Sequence, residues 1–463
     1  MYTTRHKKPI NYDFDLIVVG SGSGGGVAAH LAAADGKRVG IIEADVLGGD
    51  CPNTSCVPTK ALLASAATLE TVHTASGFGV RPGTTTYNYR SVQAWKNAAV
   101  QATGAGNESN AFRSEHITII KGHAHFINPW IVSVGLRRYS ARAFLIASGS
   151  SARIPSIKGL QETGYITYKE ASRLVSIPKS ICIIGGGAVA YEYAQILSAF
   201  GSRVHVIESG LHMFPHEDPE VGDSAAAALE DRGVKVHTVA RVTAVSGKEK
   251  RKVVTFEQHG QQHRIAIEEI MIASGKTPNV DMGLENAGVY FTDEGIRVNR
   301  YMQTNKKHIY AAGDVTGKHC TTHAAMQQAK VATHNLYHRK KVVMDYTAIP
   351  KVFFGQPEIA VVGASEHELK LTGVPYQTAI APIGILGKAI TSNYSAGFVK
   401  LTATHTGILL GASIVAPYAS EMVSELSFAI KYRRYACDVA NTIHPFPSWS
   451  EAIGIAASKI QCI

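Results

Sequence analysis

The clearest pattern in the chain is a short apolar run that ends abruptly in glycines. Residues Phe14–Val19 (FDLIVV) have the continuous hydrophobicity of a buried strand. They run into Gly20-Ser21-Gly22-Ser23-Gly24-Gly25, then an alanine-rich stretch of helical character, then a second apolar run that closes on Glu43. The same succession returns downstream: a buried strand at residues 181–184, the turn Gly185-Gly186-Gly187-Ala188-Val189-Ala190, a helix, and a strand ending at Glu208. Gly20, Gly22, Gly25 and Glu43 each stand 165 residues before Gly185, Gly187, Ala190 and Glu208. A second echo pairs FLIASG at residues 144–149 with IMIASG at residues 270–275, each a strand running into a turn of small residues.

Two such units, each with an acid at the same offset, predict two dinucleotide-binding modules. The first glycine permits the tight turn. The second lets backbone N–H groups approach a pyrophosphate at the helix N-terminus. The third small residue lets helix and strand pack closely, and the strand-end carboxylate can accept hydrogen bonds from ribose hydroxyls. The expected fold class is α/β: two Rossmann-like domains and a C-terminal α+β domain. The first module spans residues 1–153 and 278–345, and the second, at 154–277, is inserted into it. Residues 346–463 have another texture, with strands expected at 359–362, 398–402 and 408–414 and an amphipathic helix at 421–432.

Composition narrows the class. The 463 residues suggest roughly three domains at about 150 each. With 45% hydrophobic and 18% charged residues, the chain has ample core, which excludes wholesale disorder. No apolar stretch approaches the ~20 residues needed to cross a bilayer, and the opening MYTTRHKKPINYDFD lacks the apolar region of a secretory leader. A cytoplasmic protein is expected, with no membrane partner. The net charge of +10 is spread over short runs such as those at residues 5–8 and 248–252. A solvated surface rather than a nucleic-acid partner is the expectation. Six cysteines are too few for a disulfide scaffold. Cys182, Cys320, Cys437 and Cys462 stand isolated, whereas Cys51 and Cys56 form a pair.

That pair lies in Gly48-Gly49-Asp50-Cys51-Pro52-Asn53-Thr54-Ser55-Cys56-Val57-Pro58-Thr59-Lys60, a few residues after the first strand-end acid. A helix is expected to start around Cys56. A thiolate there is stabilised by unpaired N–H groups and the helix dipole, and Lys60 lies four residues on, on the same face. Redox chemistry is one reading. Zinc is another, but it would need a second ligand pair at short spacing, which the chain lacks; no metal site is expected. A structural disulfide is the third, and the neighbouring dinucleotide module disfavours it.

With these motifs the sequence resembles the class I pyridine nucleotide-disulfide oxidoreductases: dihydrolipoamide dehydrogenase, glutathione reductase, mercuric reductase and relatives. The resemblance takes in both glycine turns, the GGDCPNTSCVPTK run, both ASG turns, AAGDV at residues 311–315, and IPKVFFGQPEIAVVG and GFVKLTATHTGILLGASIV near the end. It implies that Gly20, Gly22, Gly25 and Glu43 bind the ADP half of FAD and that Asp314 holds the flavin's ribityl or phosphate region; Gly49, Gly149 and Gly275 are further cofactor-binding positions. Gly185, Gly187, Ala190 and Glu208 would serve the nicotinamide dinucleotide, NADH or, alternatively, NADPH. Cys56 would be the charge-transfer sulfur against the flavin and Cys51 the interchange sulfur. Lys60, paired with Glu192, would lie near flavin N5. Electrons would pass from NAD(P)H to FAD, to the Cys51–Cys56 disulfide, and to a small disulfide or oxidant acceptor. A homodimer built on the last domain is implied as well.

The sequence departs from the family in one place. Many members carry His-Pro-Thr-x-Ser-Glu near the C-terminus, with the His as acid/base and the Glu orienting it. Here the run is His444-Pro445-Phe446-Pro447-Ser448-Trp449-Ser450-Glu451, which puts Phe446 where the His belongs. In an extended stretch, residues two apart project to one side. His444 could then serve from a shifted position, with Glu451 behind it; an ordinary surface histidine is the equal alternative. Mercuric reductases also lack this His, but they carry paired C-terminal cysteines where this chain has Cys462, read as an incidental tail residue. The expected function is an FAD-dependent reductase of a disulfide or another thiol-reactive electrophile. The alternatives are Hg(II) reduction, dihydrolipoamide dehydrogenase, and a flavin redox sensor of low turnover.

Overall fold

A computed structural model of the chain describes residue 9, residues 11–106, residue 112 and residues 116–463. The basic run at residues 5–8 and most of the stretch read for a leader lie outside them. The chain gathers into two compact units, where the sequence suggested three domains. One comprises the described parts of Met1–Pro58, Trp95–Arg153 and Lys276–Asp345; the other comprises Thr59–Ala94, Ile154–Gly275 and Tyr346–Ile463. Residues 154–275 and 346–463 thus fall in one unit.

The first unit is built on parallel strands in the order Ile117–Lys121, Val39–Glu43, Phe14–Val19, Arg137–Ile146, Ile309–Ala311. Val18 sits opposite both Ile41 and Leu145. Strands buried on both faces need apolar residues throughout, which is why FDLIVV reads as a continuous run. The helices Ser23–Ala34 and Thr322–Tyr337 pack together through small residues; a Cβ on Gly24 would lie 3.3 Å from the Ala325 carbonyl oxygen. Ala124–Asn128 and Ile131–Val134 add an antiparallel flap to the first half of Arg137–Ile146.

The second unit repeats the plan and adds to it. Four parallel strands run Lys235–His237, Arg203–Ile207, Ser180–Ile184, Glu269–Ile272. An antiparallel sheet of Ala240–Lys248, Arg251–Gln258 and Gln261–Ile267 shares their core through Phe256 and Ile267. A five-stranded antiparallel sheet follows, in the order Lys351–Phe353, Glu358–Gly363, Leu409–Ala416, Phe398–Ala403, Gln377–Pro382. The helices Ala419–Lys431 and Glu451–Ser458 supply Leu426, Ile453 and Ala457 to its core.

A buried cation stands inside this unit. Lys400, on the strand Phe398–Ala403, is 2% exposed and is held by Asp218 at 3.1 Å, Glu220 at 3.0 Å and Glu366 at 2.6 Å. A buried ammonium is tolerated only when paired in this way. Hydrogen bonds from Lys400 and then Lys370 hold the Glu366 carboxyl down at about 2, below its ordinary 4.5. A depressed carboxyl contributes stability that is present above pH 4.5 and is lost as pH falls toward 2. Glu366→Gln should therefore flatten the fall in urea midpoint over that window. Parallel acid profiles for variant and wild type would show that the carboxylate carries none of it.

Candidate active site

The two glycine turns are superposable in their bonding. Gly20 and Gly185 have φ of +96° and +117°, a region that suits residues without a side chain. A Cβ on Gly20 would strike the carbonyl oxygen of Ala147, and one on Gly185 that of Ala273. The ASG turns of the second echo thus lie directly over the first glycines. The strand-end acids reach back to the same turns. Glu43 accepts from the Ser21 N–H at 2.9 Å and the Ser21 hydroxyl at 2.6 Å. Glu208 accepts from the Gly186 N–H at 2.5 Å and the Gly210 N–H at 2.6 Å. Each carboxylate buttresses its own turn, a task the sequence did not reveal.

The turns fit a dinucleotide. Gly22 and Gly187 are the N-caps of the 12-residue helices Ser23–Ala34 and Ala188–Ala199, and neither makes a side-chain cap. The first N–H groups of both helices therefore remain available to an anion. A Cβ on Gly187 would meet nothing within 4 Å, and one on Gly22 only the Gly49 Cα at 3.9 Å, so there is room for a phosphate at each. Gly25 packs so closely that a Cβ would overlap the Gly20 carbonyl, whereas the equivalent Ala190 is fully buried with its methyl in place. Gly49 explains itself here: φ is +70°, and a Cβ would lie 2.7 Å from the Gly22 Cα. The Cys51 loop can pass over the first turn only without a side chain at that point. Gly149 and Gly275 have φ of +70° and +100° in open surroundings, and the Asp314 carboxylate accepts from the Ser150 hydroxyl at 2.6 Å.

Cys51 lies on the short turn Asp50–Asn53, and Cys56 is the first residue of the helix Cys56–Thr74. Both are half-buried. The Cys56 sulfur sits 3.7 Å from the Thr322 hydroxyl, at the start of the helix that follows AAGDV. Sequence reading passed over Thr322, although two threonines ahead of an alanine-rich run are an N-terminal signal. Lys60 meets Glu192, its Nζ 2.9 Å from both carboxylate oxygens. Glu192 also accepts the Phe354 N–H at 3.0 Å, and the Lys60 ammonium lies 4.5 Å from the centre of the Phe354 ring. Although Cys320 is exposed, local desolvation and the nearby Asp314 push its thiol up to about 11.

Near the C-terminus the structure corrects the sequence in three places. His444 and Phe446 do not share a side: the His444 side chain is 10% exposed, whereas Phe446 is 79% exposed. The segment is an irregular turn-rich stretch, so the two-residue alternation of a strand does not apply. Glu451 does not stand behind His444. It accepts the Ser448 N–H at 2.8 Å, while His444 Nε2 faces the two oxygens of Glu425 at 3.2 and 3.3 Å and Nδ1 lies over Gly454. Glu425 sits on the amphipathic helix and carries no local signal of this partner. Finally, Cys437 and Cys462 are not isolated; they form a disulfide with Cα atoms 6.3 Å apart. Twenty-five residues separate them, a spacing that reveals nothing until the fold brings the tail back.

No helix among the described residues is long and apolar enough to cross a membrane. Two sequence profiles match the chain: the pyridine nucleotide-disulphide oxidoreductases over residues 14–329, and the dimerisation domain of the same proteins over residues 349–457. A dihydrolipoyl dehydrogenase of Bacillus subtilis (strain 168) is 32% identical, covering 96% of this chain and 97% of the relative. One from Thermus scotoductus is 33% identical, with 97% of each covered. Among solved structures, the HOCl-induced flavoprotein disulfide reductase RclA from Escherichia coli is similar with a TM-score of 0.84 at 26% identity, covering 96% of this chain and all of that one. Its Cu(II) complex gives a TM-score of 0.86 at 25% identity, covering 98% of this chain and 100% of that one. With one profile on both glycine turns and the cysteine pair and the other on the last sheet, the chain belongs to the pyridine nucleotide-disulphide oxidoreductases and is a flavoprotein enzyme that uses FAD and NAD(P)H.

Proposed function

We propose that the chain is an NADH-consuming, FAD-dependent reductase whose Cys51–Cys56 pair hands two electrons to a small thiol-reactive acceptor. The acceptor is a low-molecular-weight disulfide or an oxidant whose reduction calls for little proton transfer. FAD, when bound, supplies hydride acceptance and two-electron transfer to sulfur. Gly20, Gly22, Gly25, Glu43, Gly49, Gly149 and Asp314 would hold it; Gly185, Gly187, Ala190, Glu208 and Gly275 would hold the nicotinamide dinucleotide. Cys56, at a helix N-terminus, is kept as the inner thiolate, and Cys51 on the preceding turn attacks the acceptor. Glu192 fixes Lys60 as a charged positioning group. We place it in the cytoplasm, as part of the same reading.

The exposed Phe446 carries this reading. A phenyl ring moves no proton, and His444, turned toward Glu425 and Gly454, offers neither nitrogen outward. Loss of a general acid/base is typically worth ~10²–10⁴ in rate, so an acceptor that needs one would be served poorly. The similarity to an HOCl-induced reductase supports an oxidant acceptor. The second reading is dihydrolipoamide oxidation, favoured by relatives 32–33% identical.

Steady-state turnover with lipoamide, glutathione disulfide, Hg(II), hypothiocyanous acid and oxygen separates the two. Wild type should turn over lipoamide slowly and an oxidant well, and Phe446→His should raise the lipoamide rate. His444→Ala should cost less than ~10-fold, well short of a lost acid/base. Robust wild-type lipoamide turnover would establish the second reading instead.

Glu208 generates a donor preference. A carboxylate at that place accepts hydrogen bonds from a 2′-OH and repels a 2′-phosphate. kcat/KM should favour NADH over NADPH, and a reversed ratio would overturn the assignment.

We further infer a homodimer. The dimerisation-domain profile supports it, as do Phe428 and Tyr432, their tilted rings 4.7 Å apart and exposed on the helix Ala419–Lys431 and just past its end. Sedimentation should give a dimer at micromolar concentration; a fully active monomer would contradict it.

A further inference from the structure

The Cys437–Cys462 bridge has no part in the chemistry above, yet its placement is specific. Cys437 lies in the short helix Ala436–Ala440 and Cys462 is the penultimate residue of the chain. Between them run that helix, the irregular segment 441–450 with His444 and Phe446, and the helix Glu451–Ser458. The bridge therefore closes a covalent ring around the segment that carries the family departure.

Both residues are half-buried rather than sealed in the core. The tail is also held without them. Gln377 donates to the Gln461 carbonyl at 2.7 Å and accepts the Gln461 N–H at 3.0 Å. Ile453, Ala456, Ala457 and Ile460 are buried against the last sheet. Across the ring, the Ala436 N–H donates to Gly407 at 2.7 Å, and the Cys437 N–H points at the Cys462 sulfur at 3.2 Å. The tail is thus held by contacts that do not involve the bridge, and both bridge residues keep part of their surface open to solvent.

We propose that Cys437 and Cys462 form a second thiol–disulfide couple, exchanging with low-molecular-weight thiols, that sets how tightly the 441–450 segment is held. In the forward step a thiolate attacks one bridge sulfur and the Cys437–Cys462 bond breaks as a mixed disulfide forms. A second thiolate displaces the protein sulfur, giving one small disulfide and two protein thiols, with two electrons and two protons taken up. The reverse uses the small disulfide as oxidant. Closed, the ring restricts the segment's conformations; open, it releases them. The couple's bearing on acceptor turnover rests on the function proposed above; the couple itself does not.

The test uses the full-length FAD-loaded protein equilibrated in mixtures of glutathione and glutathione disulfide, then acid-quenched and alkylated. Peptide masses should show residues 437 and 462 passing together from bridged to dithiol as the reduced fraction rises, in wild type and in Cys51→Ser alike. Backbone hydrogen exchange over residues 438–450 should become about tenfold faster on reduction, with the strand Phe14–Val19 unchanged. Cys437→Ser should show the fast pattern without any reductant. A bridge that stays closed across the whole range, two alkylated thiols in protein never exposed to reductant, or equal exchange in both states would overturn the proposal. None of these readouts depends on turnover, so failure of the acceptor assignment would leave them standing and is told apart from failure here.

Discussion

Everything in both nucleotide modules hangs on a contact with no room for a side chain. The strand must end, turn and start a helix while the neighbouring strand's outgoing backbone passes close above. Gly20 under the Ala147 carbonyl and Gly185 under the Ala273 carbonyl meet that condition with positive φ and no Cβ. From it follow the direction of each helix, its uncapped N-terminus, and the need for an acid at the end of the next strand to tie down the turn's N–H groups. The carboxylate that would read a ribose is thus the same group that stabilises the loop beneath it.

This constraint is also why so much was legible in advance. A tight turn forces glycine at fixed positions, and a doubly buried strand forces an apolar run, so Phe14–Val19 and the strand at Ser180–Ile184 show plainly in the letters. The helix start at Cys56 and the Lys60–Glu192 pair were likewise within reach, the first from local signals and the second from family resemblance. The antiparallel strands at Ala240–Lys248, Arg251–Gln258 and Gln261–Ile267 were not seen. Half-exposed strands mix lysine, arginine and glutamine with their valines and give no clean run. Glu425 facing His444 and Cys437 facing Cys462 are products of tertiary folding, and no periodicity along the chain encodes them.

The six sulfurs show how environment sorts one functional group into several. Cys182 is sealed inside a strand, where burial pushes its thiol far up and leaves it a small apolar side chain. Cys320 is exposed, and local desolvation and Asp314 push its thiol up. Cys56 opens a helix beside a hydroxyl, an arrangement that favours thiolate character. Cys437 and Cys462 are joined. Position in the fold, rather than the residue, decides which can react.

Among the differences between the two turns, one falls on the third small residue of the motif. Gly25 packs where a Cβ would overlap the Gly20 carbonyl, whereas Ala190 is fully buried with a methyl in place. A duplicated binding element has thereby acquired two grips. On the proposed assignment the closer one belongs to the molecule that stays through many cycles, and the other to the molecule that must leave after each. On that assignment, this methyl is one place where the residence times of the two molecules can be set apart.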